Sequence, residues 1–388
     1  MTDRFGRREF LAAGVPLAAA LAGCSGGGAP AESDEAGNGT NRTADKETDG
    51  GPETTAEPTT DAAEADSLLP PLPTPSKAGV SRPDGEARNL EILDWAGFES
   101  AVSFTFDDGQ PSQAAHYDAL NDAGARLTFY LTEHTRSPAT TEAWRQAAAD
   151  GHELGNHTVS HPYADLSGGS FGETEPSAAA EIEGCSEYVT EDLGQSDVWT
   201  MAAPFGDTEW ADPAERADVF LNRTVGSGNV VPGDSTDPYN VPCYMAREGD
   251  TAEAFDGYVD SARADGAWGL LLFHAVEPTD QEWYAPIDVE EITASVERAV
   301  GFEDVWVDTV ASVGAYWRGQ RLLNGATKTE SERETTWEWT VPDSFPAGRT
   351  LRVTVDGGGL SQGGEELAWD EHGYYEVALD AGSLTLSA

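Results

Sequence analysis

Residues 101–131, AVSFTFDDGQPSQAAHYDALNDAGARLTFYL, contain the pattern from which the fold of this chain is predicted. Two apolar runs rich in β-branched and aromatic residues, 101–106 and 126–131, flank the helical stretch 112–123. This order is typical of parallel strands joined by helical crossovers. The pattern continues with strands predicted at 152–156, 198–203, 220–225, 268–273 and 305–307, and helices at 176–193, 251–264 and 289–300. Six or seven such units over about 220 residues favour an α/β barrel, assigned here to residues 95–321, over an open sheet.

The pattern of apolar and polar residues changes after residue 321. Apolar residues alternate with polar ones in short runs separated by glycine-rich turns, and this period of two predicts antiparallel strands. We therefore predict a small β-rich module over residues 322–388. The alternating residues are Trp337, Trp339, Val341, Leu351, Val353, Val355, Tyr375, Val377 and Leu379.

The chain is strongly acidic, with 70 Asp and Glu against 22 Lys and Arg and a formal net charge of -48. Such charge is also found in disordered chains, but 11 Trp, 11 Tyr and 13 Phe favour a packed fold with an acidic coat. That surface resembles proteins of salt-loving organisms, where ions screen the self-repulsion, and a haloarchaeal origin is expected. Nucleic acid is excluded as an expected partner because its phosphates would be repelled.

The first 24 residues are predicted to be a targeting segment. Arg7 and Arg8 precede a short apolar run that ends in Leu21-Ala22-Gly23-Cys24, which resembles a twin-arginine export signal with a lipoprotein cleavage box. A fortuitous apolar helix is the alternative. We expect a lipid on Cys24, anchorage at the extracellular face of the cell membrane, and a disordered acidic tether over residues 25–94, which are rich in Gly, Pro and Thr. The other two cysteines, Cys185 and Cys243, are either a disulfide or a pair of buried free thiols.

The run Ser103 to Gly109, SFTFDDG, is a buried-type strand that ends in Asp107 and Asp108. Strand ends face the active-site mouth in a β/α barrel, and a glycine turn can bring both carboxylates to the rim. One carboxylate can then bind a metal while the other acts as a base. A helix-capping Asp beside an ordinary surface acid is the alternative interpretation.

Two histidines follow another predicted strand, in the segment 155–161, GNHTVSH. His157 and His161 are four residues apart, so on a helical turn they would share one face and reach one ion. Two imidazoles and one Asp make a facial ligand set that leaves positions open for water and substrate, and zinc is the expected metal. His274 ends the apolar strand 270–273; a core histidine would be ordinary there, but beside a metal site it is interpreted as a general acid.

Taken in order, TFDDG at 105–109, NHTVSH at 156–161 and LLFH at 271–274 resemble the motifs of the polysaccharide deacetylases, carbohydrate esterase family four with the NodB-homology domain. The resemblance covers about residues 98–320. It implies a distorted (β/α) barrel that removes acetyl groups from N- or O-acetylated sugars. It also implies that Asp107 is the base, that Asp108, His157 and His161 bind the metal, and that His274 is the acid.

The chain departs from the family pattern in two places. Where the family has an arginine that pairs with the base, this chain has Ala202, and Arg223 at the end of the next strand is the proposed replacement. The nearby backbone N–H at Phe205 is implied to stabilise the oxyanion. The family's fourth motif is reduced to Asp234 and Asp237, either of which is a hypothetical partner of His274.

These observations predict a metal-dependent enzyme that hydrolyses acetyl groups of a surface glycan. Two alternatives stay open: a carbohydrate-binding surface lipoprotein that has lost turnover, which the missing arginine would permit, and a structural envelope protein with an acidic coat. The first keeps a metal site without acetate release, and the second leaves the histidine pair unexplained.

Overall fold

A computed structural model describes residues 69–281 and 284–388. These residues belong to one compact unit. The predicted signal, Cys24 and the tether up to residue 68 lie outside the described residues. None of the helices in the described ranges has the length and apolar character needed to cross a membrane.

The central element is an eight-stranded parallel sheet. Its strands are β1 (Ser100–Phe106), β2 (Thr128–Leu131), β3 (Glu153–Asn156), β4 (Thr200–Ala202), β5 (Leu221–Arg223), β6 (Tyr244–Met245), β7 (Trp268–Phe273) and β8 (Val305–Val307). The order is β5-β4-β3-β2-β1-β7-β6, and β8 pairs with the first half of β1. All these pairings are parallel.

The sheet curls so that its two edges meet. The residues after β5 hydrogen-bond to the segment that leads into β6: Thr224 N–H donates to the Val241 carbonyl (2.8 Å) and Val241 N–H to the Asn222 carbonyl (3.1 Å). The predicted distorted (β/α) barrel is therefore confirmed.

Helices connect the strands as the sequence pattern predicts. They are α1 (Pro111–Ala115), α2 (Tyr117–Asp122), α3 (Pro138–Ala149), α4 (Ala178–Glu187), α5 (Ala211–Arg216), α6 (Ala252–Asp265), α7 (Val289–Val300) and α8 (Val310–Asn324). The helix predicted over 112–123 is two short helices with a break at His116. Ser137 and Thr140 form a capping box that fixes the start of α3. A short parallel pair, Val276–Glu277 with Ile287–Asp288, follows β7.

The residues after α8 form two antiparallel sheets, as predicted for the C-terminal module. Their main strands are β9 (Thr327–Glu330), β10 (Glu334–Glu338), β11 (Thr350–Thr354), β12 (Gly359–Gln362), β13 (Tyr374–Ala378) and β14 (Ser383–Ser387). One sheet has the order β9-β10-β14-β12 and ends with Glu365–Glu366; in the other, β11 and β13 lie between Glu91–Ile92 and Trp369–Asp370. The module shares its core with the barrel, because Leu351 and Leu384 belong to the same buried cluster as Trp268 and Trp317.

Residues 69–94 pack against this module rather than extending as part of the predicted tether. Arg349 donates to the carbonyls of Leu69 (2.8 Å) and Pro70 (2.9 Å), and the buried Arg352 donates to the Pro73 carbonyl (2.6 Å). A proline-rich strap has carbonyl acceptors but few N–H donors, so arginine side chains can hold it where a β-ladder cannot. Its composition resembles a free linker, which is why the sequence pattern missed this contact.

Candidate active site

The candidate active site lies at the carboxyl ends of the parallel strands. Asp107 and Asp108 directly follow β1, His157 follows β3, Arg223 ends β5 and His274 follows β7. Carboxyl ends of parallel strands meet at one rim, so residues far apart in the chain come together there. Four of these side chains are buried, with Asp107 3% and Asp108 6% exposed, and His274 is half-buried.

A left-handed turn brings both carboxylates to this rim. Asp108 has φ 73° and Gly109 has φ 61°, so the chain leaves the strand immediately after Asp107. A Cβ at Gly109 would lie 2.9 Å from Leu131 Cδ2, which explains the glycine. The Asp108 carbonyl accepts a hydrogen bond from Thr135 Oγ1 (2.9 Å), and its Oδ2 accepts one from Gln110 Nε2 (2.8 Å). The predicted glycine turn is therefore present.

His157 and His161 lie in a loop, not on the helical turn that their spacing predicts. Thr158 and His161 have φ 68° and 59°, and local hydrogen bonds replace those of a helix: Thr158 N–H donates to Asn156 Oδ1 (2.8 Å) and His161 N–H to Thr158 Oγ1 (2.9 Å). The two imidazoles still converge, with ring centroids 4.7 Å apart. Backbone strain of this kind concentrates at functional sites.

Three ligand atoms converge on one point. Asp108 Oδ1 lies 3.5 Å from His157 Nε2 and 3.6 Å from His161 Nε2, and the three atoms lie within 4.8 Å of one another. His157 Nδ1 is 2.7 Å from the Ala202 carbonyl, so Nδ1 carries a proton and Nε2 faces Asp108. Burial would lower the pKa of His157, but Asp107 and Asp108 outweigh it and raise that pKa, so a metal ion would bind Nε2 in place of its proton. Two imidazole nitrogens and one carboxylate oxygen fit a divalent metal ion such as zinc.

The charges in this cluster favour an ionised Asp108. Burial alone would raise the pKa of Asp108, but hydrogen bonding to His157 and the nearby His274 hold it well below its usual range. Burial and the charge of His157 lower the pKa of His161 to about 3, so this ring is neutral. An ionised carboxylate and a neutral imidazole are the forms that bind a metal.

Arg223 supplies the cation that Ala202 cannot. Its Nη2 donates to Asp107 Oδ1 in an ion pair that is buried on both sides. Ala202 and Arg223 are register partners on the neighbouring strands β4 and β5, so the cation stands one strand away at the same level of the sheet. Burial would lower the pKa of Arg223, but Asp107 outweighs it and raises the pKa, which keeps the guanidinium charged. The suggestion that Arg223 reaches this rim agrees with the structure.

His274 approaches the same site with an unpartnered ring atom. Its Nδ1 is buried and has no hydrogen-bond partner in the described part of the chain. Gln113 Nε2 donates to both the His274 carbonyl (2.8 Å) and the Asp107 carbonyl (2.6 Å), which ties the two residues together. Burial lowers the pKa of His274 and outweighs the carboxylates of Asp108 and Asp107, which raise it.

Neither Asp234 nor Asp237 is placed as a partner of His274. Asp234 accepts from Arg321 Nη2 (3.1 Å) and from the Val231 N–H (3.0 Å). Asp237 accepts from the Tyr239 N–H (3.0 Å). Both carboxylates accept hydrogen bonds that hold the loop between β5 and β6, and the hypothetical pairing with His274 is not formed.

Phe205 lies beside the metal-ligand cluster in the single turn Pro204–Gly206 after β4. It has φ 60°, and its ring meets the His161 ring edge-on with centroids 4.5 Å apart. The turn closes through Gly206 N–H and Asp207 N–H, which leaves the Phe205 N–H at the start of the turn without an acceptor there. This position is compatible with the oxyanion role that the family resemblance implies.

Cys185 and Cys243 are buried free thiols, so the disulfide alternative is wrong. Cys185 Sγ donates to the Leu131 carbonyl (3.0 Å) and Cys243 Sγ to the Thr224 carbonyl (3.2 Å). Cys185 lies on α4, and Cys243 directly precedes β6.

Sequence reasoning missed Glu181, which supports the histidine loop from α4. This fully buried carboxylate accepts from Ser160 N–H (2.9 Å), Ser160 Oγ (2.7 Å) and Glu175 N–H (2.8 Å). The available signal was its spacing, because Glu181 lies on the same helix face as the apolar Cys185. An acid on an apolar face needs internal donors.

Part of the chain matches a known protein family. Residues 97–218 match the family model described as polysaccharide deacetylase. The chain is 24% identical over 340 residues to gellan lyase from a Bacillus species, which covers 78% of this chain but only 13% of that protein. Its fold is similar to peptidoglycan deacetylase PdaC from Bacillus subtilis (17% identity, 58% of this chain and 95% of that chain, TM-score 0.39). It is also similar to a family 4 acetyl xylan esterase from Clostridium thermocellum in complex with a cobalt ion (16% identity, 55% and 89%, TM-score 0.35).

Proposed function

We propose that this protein is a hydrolase of the deacetylase class that removes acetyl groups from a glycan by metal-dependent hydrolysis, because residues 97–218 match the family model described as polysaccharide deacetylase. The observation that carries this proposal is the convergence of Asp108, His157 and His161 on one point, with the Asp107–Arg223 ion pair beside them. The acetyl group is carried on nitrogen or on oxygen of an acetylated polysaccharide.

Asp108, His157 and His161 would hold the metal ion, which we propose to be zinc. When bound, such an ion polarises the acetyl carbonyl and makes water a better nucleophile at neutral pH. The hydrogen bond from His157 to the Ala202 carbonyl fixes the ring with Nε2 toward the site.

Asp107 is proposed as the general base. Its carboxylate takes a proton from the attacking water, and the buried ion pair with Arg223 holds it in position. The N–H of Phe205 donates to the oxygen on which negative charge develops. His274 donates a proton to the leaving amine or alcohol. Burial lowers the pKa of His274, which makes its protonated ring a stronger proton donor than an ordinary imidazolium.

We also propose that the protein acts outside the cell. The Leu21 to Cys24 box and the twin arginines support export and a lipid on Cys24, which would anchor the enzyme at the outer face of the membrane. An acetylated glycan at the cell surface would then be its substrate.

The competing hypothesis is a carbohydrate-binding lipoprotein without turnover. This hypothesis rests on Ala202, which stands where the family has an arginine. Because Arg223 pairs with Asp107 from the neighbouring strand, the absence of that arginine no longer favours a loss of turnover.

The proposal is tested by acetate release from a panel of acetylated glycans in molar salt. Metal content is measured in the same samples, before and after a chelator and after zinc is restored. We expect release that stops with the chelator and returns with zinc. Bound metal without acetate release from any glycan would favour the binding protein, and absence of bound metal would contradict the metal site.

A further inference from the structure

Arg223 carries its charge inside the barrel with a single hydrogen-bond partner. Its side chain is fully buried and donates through Nη2 to Asp107. Its Nε and Nη1 have no hydrogen-bond partner among residues 69–281 and 284–388. A buried guanidinium needs further favourable contacts to offset the loss of its hydration. The ion pair with Asp107 therefore does not by itself explain what fixes the rest of this side chain.

The face of a tyrosine ring supplies a second contact. The guanidinium carbon of Arg223 lies over the Tyr130 ring, 5.1 Å from its centroid. Arginine stacks on aromatic faces because the negative face of the ring attracts the cation, and this attraction is strongest where water is excluded. Tyr130 is fully buried, and burial raises the pKa of its hydroxyl well above the usual value, so the hydroxyl keeps its proton.

Tyr130 faces the barrel interior rather than the apolar layer under the helices. Its neighbours on β2, Phe129 and Leu131, belong to the hydrophobic cluster on the opposite face of the sheet. Gly155 is the register partner of Tyr130 on β3, and a Cβ at Gly155 would overlap the ring. Only a glycine at this position leaves room for the ring inside the barrel.

A chain of hydrogen bonds fixes the hydroxyl end of Tyr130. This hydroxyl is 3.0 Å from Thr200 Oγ1, which donates to Glu153 Oε1 (2.5 Å). The other oxygen of the buried Glu153 accepts from Thr128 Oγ1 (2.9 Å) and from the Ala311 N–H in the first turn of α8 (2.9 Å). The ring is therefore tied to two neighbouring strands and to a helix N-terminus before any substrate arrives.

We propose that Tyr130 is a positioning residue: its ring holds Arg223, and Arg223 in turn holds the base Asp107. This inference rests on the proposed deacetylase function, in which Asp107 takes a proton from water. The alternative is that Tyr130 only fills the barrel interior. A residue that only fills space contributes to the stability of the fold, and its effect on the rate does not depend on Arg223.

The test is a double-mutant cycle between Tyr130→Leu and Arg223→Ala, with kcat, KM and metal content measured for all four proteins. Tyr130→Leu keeps an apolar side chain but removes the ring face. It should lower kcat about thirtyfold, which corresponds to a desolvated cation–π contact, while KM and metal content stay unchanged. In the Arg223→Ala background the same change should lower kcat less than about threefold, because the cation is already absent. Equal losses in both backgrounds would overturn the proposal.

A second comparison keeps the shape of the ring and does not require Tyr130→Leu to fold. Tyr130→Phe retains the ring face and should retain most of the kcat. Pentafluorophenylalanine at position 130 has nearly the same shape but lacks the negative ring face, so it should lower kcat about tenfold relative to Tyr130→Phe. Equal kcat for the two rings would contradict the proposal.

Tyr316→Leu is the matched control for the loss of a buried tyrosine. Tyr316 lies on α8 in the core shared with the C-terminal module, and its hydroxyl donates to the Leu93 carbonyl (2.6 Å). This change should lower the free energy of unfolding and leave kcat of the folded protein unchanged. A loss of kcat as large as that of Tyr130→Leu would show that any buried tyrosine matters to the rate, and would overturn the proposal.

If the unmutated protein releases no acetate, the proposed function fails separately. The same cycle measured by urea unfolding then decides whether the ring holds Arg223. Effects of Tyr130→Leu and Arg223→Ala on the free energy of unfolding that are not additive support the contact, and additive effects contradict it.

Discussion

At the scale of single residues, the ion pair between Arg223 and Asp107 holds the proposed base in position. Asp107 is 3% exposed, and an ionised carboxylate at such a position needs a partner. The register pairing of Ala202 with Arg223 places that partner on the next strand at the same level. Compared with the family pattern, the cation therefore lies on the neighbouring strand and still contacts the base.

We predict that Arg223→Ala lowers acetate release by about a hundredfold or more, within the range that a general base contributes. It should also lower the free energy of unfolding by about 3–5 kcal/mol, because it leaves a buried carboxylate unpaired. Adding Ala202→Arg to this variant should restore part of the activity, since the new side chain starts from the paired position. The measurements are kcat, metal content and urea unfolding.

The exposed Arg216, which pairs with Asp212 on the surface, provides a matched control in Arg216→Ala. This change should affect neither activity nor stability by a measurable amount. Should Arg223→Ala keep full activity while its metal content is normal, Arg223 is not the residue that positions the base.

The residues in the three sequence motifs could be predicted because each follows a strand and has a chemically distinctive side chain. Arg223 was harder, because only the register of two strands shows that it faces Asp107. The prediction that Asp234 or Asp237 pairs with His274 failed because the sequence does not distinguish two kinds of loop aspartate. A loop aspartate that caps its own backbone has the same sequence signature as one that points into a site.

At the scale of elements, α4 supports the loop that carries His161. The Glu181 carboxylate binds both ends of the segment from Ser160 to Glu175, and Val159 N–H donates to the Glu181 carbonyl (3.1 Å). The sequence pattern predicted the helix, and the spacing of His157 and His161 predicted that both could reach one ion. It could not predict the left-handed residues of the loop, because they depend on this contact from another element.

We predict that Glu181→Gln weakens metal binding about tenfold to a hundredfold, as outer-shell changes commonly do. An amide has only one acceptor oxygen, and its NH₂ group would face backbone N–H donors. Metal affinity and far-UV circular dichroism are measured beside Glu183→Gln, which changes an exposed acid on the same helix. Equal metal affinity in both variants would show that the loop holds its shape without Glu181.

A buried histidine directly before β3, His152, should make stability depend on pH. His152 accepts from the Leu127 N–H (2.9 Å) and contacts Asn121 Oδ1 (3.0 Å). Burial lowers the pKa of His152 to about 4, with Arg126 acting in the same direction and Asp150 against it. The neutral ring therefore contributes fully to the free energy of unfolding above the ordinary pKa of about 6.5. This contribution is lost as the pH falls from about 6.5 toward 4.

We predict that the free energy of unfolding of the unmutated protein falls, over this range, by up to about 1.4 kcal/mol per pH unit more than that of His152→Asn. Asparagine keeps an acceptor but cannot take up a proton. Urea unfolding of both proteins at several pH values between 7 and 4 measures the difference. Parallel pH dependence of the two proteins would mean that His152 is not responsible.

At the scale of the whole molecule, the net charge of -48 is the dominant feature. Repulsion among the acids opposes the compact state, and screening by salt reduces it. The alternation of strands and helices predicted the barrel and the β module separately. The shared core between them and the strap at residues 69–73 required tertiary contacts that no local pattern encodes.

We predict that the thermal midpoint of unfolding rises as salt is increased from about 0.1 M, where screening reaches only about 10 Å, to molar concentrations. Sorbitol at equal osmolality is the control, because it acts without screening charge. A midpoint that is equal or higher at low salt would contradict the prediction that this acidic surface depends on salt.

The central claim is the division of labour between adjacent carboxylates, with Asp108 as metal ligand and Asp107 as base. It is tested most directly by metal content and acetate release for Asp107→Asn and Asp108→Asn beside the unmutated protein. Asp108→Asn should lose metal, because an amide is a poorer ligand than a carboxylate. Asp107→Asn should keep its metal and lose about a hundredfold to ten-thousandfold in rate. Full activity in Asp107→Asn, or metal loss in Asp107→Asn rather than in Asp108→Asn, would contradict the claim.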